Sequence, residues 1–282
     1  MKFQKYKKFC KLALLFVFTV STQTFGQDTT SLVSTVESLT ETVKLAPCKS
    51  EERFETVKKL FVQMGAKEEA VTVEKFNKDK ISNIMVKVKG KSDETIVVGA
   101  HYDKIGDGGC GAIDNWTGIS IIAHIYKSVK QIDTEKSYIF VAFDQEEEGL
   151  FGSEAMAKSI PKENREKYCA MVNFDSFGFS MPFILGNASS SKVTKLAKDF
   201  AKENNFKMSD VVIDGADADS SSFKSHNIPA ITFSGLDNKW QNYLHSKNDQ
   251  LDKINMTSVY IGYRFGLMFI AKLDSIGCKE IR

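Results

Sequence analysis

The chain has 282 residues, with 38 Lys and Arg against 36 Asp and Glu, for a formal net charge of +2. That near-neutral balance, with no basic stripe interleaved with aromatics, argues against nucleic acid as a partner. Beyond the N-terminal segment there is no apolar run near the roughly 20 residues a bilayer span needs, so the mature chain is expected to be soluble. At the N-terminus, Lys2, Lys5, Lys7, Lys8 and Lys11 precede an apolar run from Leu12 to Val20. This reads as a secretory signal peptide, residues 1–26, with cleavage expected after Thr24-Phe25-Gly26; a membrane anchor or buried helix is the alternative. Cys10 lies ahead of the apolar run, so it is not the lipid-bearing cysteine of a lipoprotein. The remaining residues, 27–282, suit one large α/β domain, secreted or periplasmic.

Helices are expected over 28–46 and 50–65, where Leu32, Val33, Val36, Leu39 and Val43, then Phe54, Val57, Leu60, Phe61 and Met64, recur at helical spacing. Strands follow at 71–76, 81–88 and 95–100, and a helix at 117–131 with an Ile119, Ile122, Tyr126 and Val129 face. A strand is expected at 137–143, a short helix at 153–160, strands at 171–175 and 183–185, and a helix at 190–204. Short strands at 211–213 and 230–233 and a closing helix at 257–273 complete the pattern. Strands separated by helices predict an α/β layer fold with a mostly parallel central sheet and a single domain.

Six stretches carry the chemistry: HYD at 101–103, DN at 114–115, EEEGLFGS at 146–153, NFD at 173–175, ADADSSSF at 216–223 and LHSKND at 244–249. Glu146, Glu147 and Glu148 follow the apolar run Tyr138 to Phe143, and adjacent carboxylates at the end of a buried strand are costly without a cation. A divalent metal removes that cost and leaves one Glu free to move protons. His101, Asp114, Glu147, Asp175 and His245 fall at strand ends or in loops, where such sheets place their sites. Five carboxylate or imidazole ligands suit two zinc ions per chain. Cys48, Cys110, Cys169 and Cys278 show no C-x-x-C spacing, so a zinc-thiolate site is not expected, and an exported chain permits disulfides.

In order, His101-Tyr102-Asp103, Asp114-Asn115-Trp116-Thr117-Gly118, Glu146 to Ser153, Asn173 to Gly178 and His245-Ser246-Lys247-Asn248-Asp249 resemble the co-catalytic zinc aminopeptidases, the exopeptidase family that also includes glutaminyl cyclases. The resemblance runs from about residue 30 to the C-terminus. It implies a three-layer sandwich of the zinc exopeptidase (phosphorylase/hydrolase-like) fold, with helices on both faces of the sheet. It implies that Asp114 bridges two zinc ions, that His101 and Asp175 hold one, and that Glu147 and His245 hold the other. Glu146 is then the general base that takes a proton from the attacking water, and Asp103 orients His101 through its second ring nitrogen. Asp249 either does the same for His245 or caps the following turn. Two departures stand out: Ala218-Asp219-Ser220 replaces the family's Ser-Asp-His, and Leu244 stands where a Tyr often precedes the last His, with Tyr243 one residue earlier. In this family the terminal helices pack near one another, which implies a Cys48–Cys278 bridge. Cys110 with Cys169 is disfavoured, because about six residues of strand at roughly 3.3 Å each would separate them.

Several groups have plainer readings. Glu148 points away from its neighbours and reads as solvated, and His124 lies opposite its helix's apolar face and reads as exposed. His226 reads as structural, Trp116 as packing, and Trp240 equally as packing or as pocket wall. The function expected is a zinc aminopeptidase acting on peptides with a free N-terminus. The alternatives are a glutaminyl cyclase-like acyltransferase and a binding protein of the same fold without metals. Family cyclases typically carry an insertion after the Glu pair, whereas Gly149 to Ser153 follow here at once, and all five ligands with Glu146 are retained.

Overall fold

The computed structural model describes residues 31–106 and 109–282. The expected signal segment therefore lies outside the described residues. The strands are β1 Thr72–Phe76, β2 Ile81–Val88, β3 Thr95–His101, β4 Ser137–Phe143, β5 Tyr168–Phe177, β6 Phe183–Leu185, β7 Asp210–Val211 and β8 Ala230–Gly235. They form one eight-stranded sheet in the order β1-β2-β4-β3-β5-β8-β6-β7. Its centre, β4-β3-β5-β8, is parallel. β2 and β1 extend it antiparallel on one side; β6 pairs antiparallel with β8 and parallel with β7 on the other. The nearly continuous burial of β3, β5 and β8 is that of strands covered on both faces.

The helices are α1 Val36–Val43, α2 Ser50–Gln63, α3 Thr117–Val129, α4 Phe151–Ser159, α5 Ser191–Glu203, α6 Asp219–Ser225, α7 Met256–Ser275 and α8 Cys278–Ile281. Alternate residues of the central strands feed two cores. Ile96, Val98, Phe140, Val172 and Ile231 pack with Leu39 of α1, Val57 of α2, Ile122 of α3, Val193 of α5 and Phe269 of α7. Val97, Val141, Met171 and Ala230 pack with Met156 of α4 and Phe223 of α6 on the opposite face. The period of two along each strand thus gives the three-layer sandwich expected. Each fully buried Phe, such as Phe140 or Phe269, contributes about 1.5–3 kcal/mol through area removed from water.

Most expected spans hold to within a residue or two, with differences at particular points. Among the described residues the first helix runs Val36–Val43, capped by the Thr35 hydroxyl accepting from the Ser38 N–H; residues 28–30 of the expected span lie outside them. β5 starts three residues earlier than expected, and α6 and α8 were not anticipated. His124 is a correction: it is fully buried, because α3 is covered by α1 and α7 as well as by the sheet. Its Nε2 lies 2.8 Å from Thr42 Oγ1 and its Nδ1 2.6 Å from Ser34 Oγ. Trp116 is buried and packs, donating to the Thr42 carbonyl, and Glu148 is exposed.

The cysteine pairing is the second correction. The disulfides are Cys48–Cys110 and Cys169–Cys278, not Cys48–Cys278. The reason is the length of α7. Its 20 residues rise about 30 Å, carrying the chain from the edge where the strands end to the edge where they begin. There Asp274, near its C-terminus, accepts from the Tyr138 hydroxyl and the Lys136 N–H at the start of β4. Cys278 therefore meets Cys169 at the start of β5, while Cys48 meets the loop after β3.

Candidate active site

Parallel neighbours β4, β3 and β5 end at one edge of the sheet, so the groups that follow them converge. His101 is the last residue of β3, Glu146 and Glu147 follow β4, and Asp175 lies near the end of β5. Asp114 sits in the turn before α3, and His245 in the loop between β8 and α7. The structure brings all five expected ligands together. His101 Nε2 is 3.1 Å from Asp114 Oδ1 and 3.6 Å from Asp175 Oδ1. His245 Nε2 is 3.1 Å from Asp114 Oδ2 and 3.0 Å from Glu147 Oε2. Two triads result, His101/Asp114/Asp175 and Asp114/Glu147/His245, each with one ligand atom per residue within 4.8 Å of the others. Asp114 is common to both, with one oxygen toward each imidazole.

Local backbone explains these positions. The β5–β8 pairing slips between Phe174 and Phe177, and Ser176 has φ 58°. Such a bulge re-aims a side chain, here Asp175. The Ser176 hydroxyl donates to Asp175 Oδ1 and Asp114 Oδ1. The peptide between Asp114 and Asn115 is cis. Asn115 locks the turn onto β5: its amide donates to the Phe174 carbonyl and its oxygen accepts from the Ser176 and Gly118 N–H groups. Gln145, Leu150 and His245 also have positive φ, so left-handed non-Gly residues cluster around the site.

Asp103 meets its expected partner and does more. Its Oδ1 lies 3.3 Å from His101 Nδ1, and its two oxygens accept from the Glu146 and Glu147 N–H groups at 3.1 Å each. Asp249, by contrast, reaches neither His245 nor the turn after it. Its oxygens accept from the N–H groups of Ile113 and Asp114, so it holds the backbone of the shared ligand. Ser220, at the family's His position, donates to the Ala188 carbonyl and lies 2.6 Å from Thr232 Oγ1. Tyr243 packs on Phe179 at 4.8 Å between centroids, and Leu244 is buried. His226 pairs with Glu154, a structural contact, and Trp240 is half-buried.

Sequence reasoning gave no role to Asp219. It is fully buried at the start of α6, and neither carboxylate oxygen has a hydrogen-bond partner. The ADADSSSF stretch was its signal. Burial first, against the pull of His101 and the nearby Ser153 and with Asp175 and Asp103 adding to it, pushes Asp219 up to about 7. Glu146 is raised well above the usual carboxylate range by burial, then by Asp175, Asp219 and Asp114, against the pull of His101.

The cluster calls for positive charge. Burial disfavours a charged His101, yet Glu146, Asp103, Asp114 and Asp175 outweigh it and raise the ring well above the usual imidazole range. Hydrogen bonds to Asp114 and Glu147 raise His245 to about 10. Burial opposes ionisation of Asp114, yet the two imidazoles hold it well below the usual carboxylate range. Glu147 Oε1 is buried with no partner. Imidazoles and carboxylates with an orphaned oxygen, arranged as two triads, fit a divalent metal of the zinc type, whose charge would replace the protons on the two rings. His245 is half-exposed whereas His101 is buried, so the cluster opens to solvent on the His245 side.

Fold and cluster together define a class: an α/β sheet whose carboxyl edge carries a carboxylate and imidazole centre suited to divalent metal. Residues 83–262 match the model of peptidase family M28, and the chain belongs to that family. A probable leucine aminopeptidase of Trichophyton verrucosum (strain HKI 0517) is 31% identical over 140 residues, 45% of this chain and 36% of its own length. Leucine aminopeptidase 1 of Trichoderma harzianum is 31% identical over 143 residues, 46% of this chain and 35% of its own. The match thus spans about a third of the length of these curated relatives. Among solved structures, LapA of Legionella pneumophila superposes with a TM-score of 0.73 at 17% identity, over 92% of this chain and 80% of its own. A glutaminyl cyclase of an Acidobacteriales bacterium gives 0.73 at 17%, over 91% and 100%. BSAP, a zinc aminopeptidase from Bacillus subtilis, gives 0.62 at 22%, over 68% and 49%. At these identities the likeness is one of fold. No helix among the described residues is long and apolar enough to cross a membrane.

Proposed function

We propose that this chain is a zinc-dependent aminopeptidase, secreted or periplasmic, that cleaves the N-terminal peptide bond of peptides. The observation that carries the reading is the pair of ligand triads sharing Asp114. In this reading residues 27–282 are one catalytic domain and each chain holds two zinc ions. His101 and Asp175 would hold one and Glu147 and His245 the other, with Asp114 contributing to both. Zinc supplies Lewis acidity and lowers the pKa of water it binds. With the positive charge of bound zinc offsetting Asp175, Asp219 and Asp114, Glu146 would be ionised and do the proton work: it would take a proton from the attacking water and return it to the leaving amine. Asp103 fixes the His101 ring and, through two N–H groups, the backbone that aims the Glu pair. The substrate is a peptide with a free N-terminus, and the relatives' names make an N-terminal Leu the first residue to try.

A glutaminyl cyclase-like acyltransferase is the second reading, favoured by the cyclase structure matched over its full length. One assay separates them: aminoacyl-anilides and N-terminal Gln peptides, each with and without a chelator. Chelator-sensitive release of aniline supports the aminopeptidase. Chelator-sensitive pyroglutamate formation without anilide cleavage supports the cyclase, and no turnover of either refutes both.

A further inference from the structure

The turn that carries Asp114 is closed by the Trp116 N–H donating to the Gly111 carbonyl and is tied to β5 through Asn115. Gly111 in that turn has φ 54°, and a Cβ there would meet Lys104 Cβ at 2.8 Å and the Asp114 carbonyl oxygen at 2.9 Å. Further anchors come from both ends of the chain. From the C-terminal side Asp249 holds it, accepting from the Ile113 and Asp114 N–H groups while its carbonyl accepts from the Cys110 N–H. From the N-terminal side comes a short segment, residues 47–53, ahead of the family-matched stretch that begins at residue 83.

Two groups of that segment reach the ligand backbone. Cys48 is bonded to Cys110, four residues before Asp114. Arg53 of α2 is fully buried, with its guanidinium 5.3 Å from the centre of the Trp116 ring. It donates to the carbonyls of Tyr102, Cys110, Gly111 and Pro47. Tyr102 follows His101 directly, and Gly111 lies three residues before Asp114. One guanidinium thus ties the end of β3 to the Asp114 turn and to the chain entering α2. A rigid fork of five donors can span these acceptors; a lysine's single ammonium cannot reach all of them. Burial brings Arg53 down to about 10, so it is a cation at neutral pH, and its charge faces Asp103, Asp249, Asp114 and Glu147. A buried Arg that only stapled α2 to the sheet would have no need to gather carbonyls beside two metal ligands.

We propose that residues 47–53 form a positioning clamp for the metal centre: the Cys48–Cys110 disulfide and the Arg53 guanidinium hold Asp114 and His101 in ligating arrangement, so metal affinity depends on them. This rests on the metal reading of the site. The second disulfide supplies the control. Cys169–Cys278 lies at the opposite edge of the sheet and closes 109 residues against 62 for Cys48–Cys110. Its loss should therefore cost at least as much stability by chain entropy.

The test measures zinc affinity, by competition with a chromophoric chelator, for the full chain and for C48S/C110S, Arg53→Met, Arg53→Lys and C169S/C278S. Melting temperatures of the metal-free proteins are measured alongside. The expected result is zinc affinity about 10–100-fold weaker in C48S/C110S and Arg53→Met, the usual scale for losing a group that orients a ligand. Arg53→Lys should recover part of the loss. C169S/C278S should melt lower yet bind zinc as the unaltered chain does, and its cobalt(II) absorption spectrum should overlay that of the unaltered chain while that of Arg53→Met shifts. If Arg53→Met does not fold, C48S/C110S and Arg53→Lys carry the comparison. Folded clamp variants with unchanged affinity and spectra would overturn the proposal, as would an equal loss in C169S/C278S. An unaltered chain that binds no zinc would instead overturn the metal reading beneath it.

Discussion

Acid should unfold this protein partly through His124, which takes no part in the cluster around Asp114. The ring is fully buried between Thr42 and Ser34, with Tyr263 edge-on at 6.0 Å. Burial, with Lys127 adding to it, pushes His124 down to about 4 from an ordinary 6.5. The folded protein therefore keeps the ring neutral where the unfolded chain would protonate it. Stability from this group is fully present above about pH 6.5 and is lost as pH falls toward 4, because the unfolded state then binds the extra proton. Each pH step of one across which only the unfolded ring is protonated costs about 1.36 kcal/mol, so the loss between pH 7 and pH 4.5 comes to about 2.5 kcal/mol. Urea unfolding at the two pH values, compared between the unaltered chain and His124→Asn, isolates the effect, since other titrating groups are common to both. His124→Asn should be less stable than the unaltered chain at pH 7, having lost packing in a full core, but should lose about 2.5 kcal/mol less on acidification. Parallel stability–pH curves for the two proteins would show that His124 does not titrate with unfolding.

Other consequences follow at the site. Glu146→Gln keeps the shape of the side chain but removes proton transfer, so kcat should fall about 10²–10⁴-fold with zinc content unchanged. Glu147→Ala should instead lose metal, and equal metal loss in both variants would reverse the roles within the pair. Gly111→Ala forces a Cβ against Lys104 and Asp114 at a positive φ, so it should lower both thermal stability and zinc content; unchanged zinc content would show that the turn adapts. N-acetylation of a good substrate should abolish turnover, and efficient cleavage of the acetylated peptide would point to an endopeptidase.

The strands that position the site were readable because they are apolar and bounded by polar turns: β3 and β4 match the spans their residues predict to within a residue. The five candidate ligands were readable because they stand at strand ends or in loops in a recognisable order, and the structure brings all five together. α6 was not, since Asp219-Ser220-Ser221-Ser222 offers no apolar period and the helix is fixed by Phe223 packing under the sheet. His124 was misplaced because periodicity finds one apolar face, whereas α3 is covered on nearly every side. The disulfides were mispaired because sequence does not say to which edge of the sheet a cysteine is carried; the length of α7 decides that. The Arg53 and Asp249 contacts were hidden for a similar reason. Both act on backbone groups far away in the chain, and a backbone acceptor leaves no trace in residue identity.

In the reading proposed for the site Asp114 serves two metals, and zinc counting decides it. Purified mature protein, saturated with zinc and freed of excess, should contain two zinc ions per chain. Asp114→Ala should lose both, whereas Asp175→Ala should retain the ion held by Glu147 and His245. One zinc per chain at saturation, with His101 and Asp175 dispensable for holding it, would contradict the account.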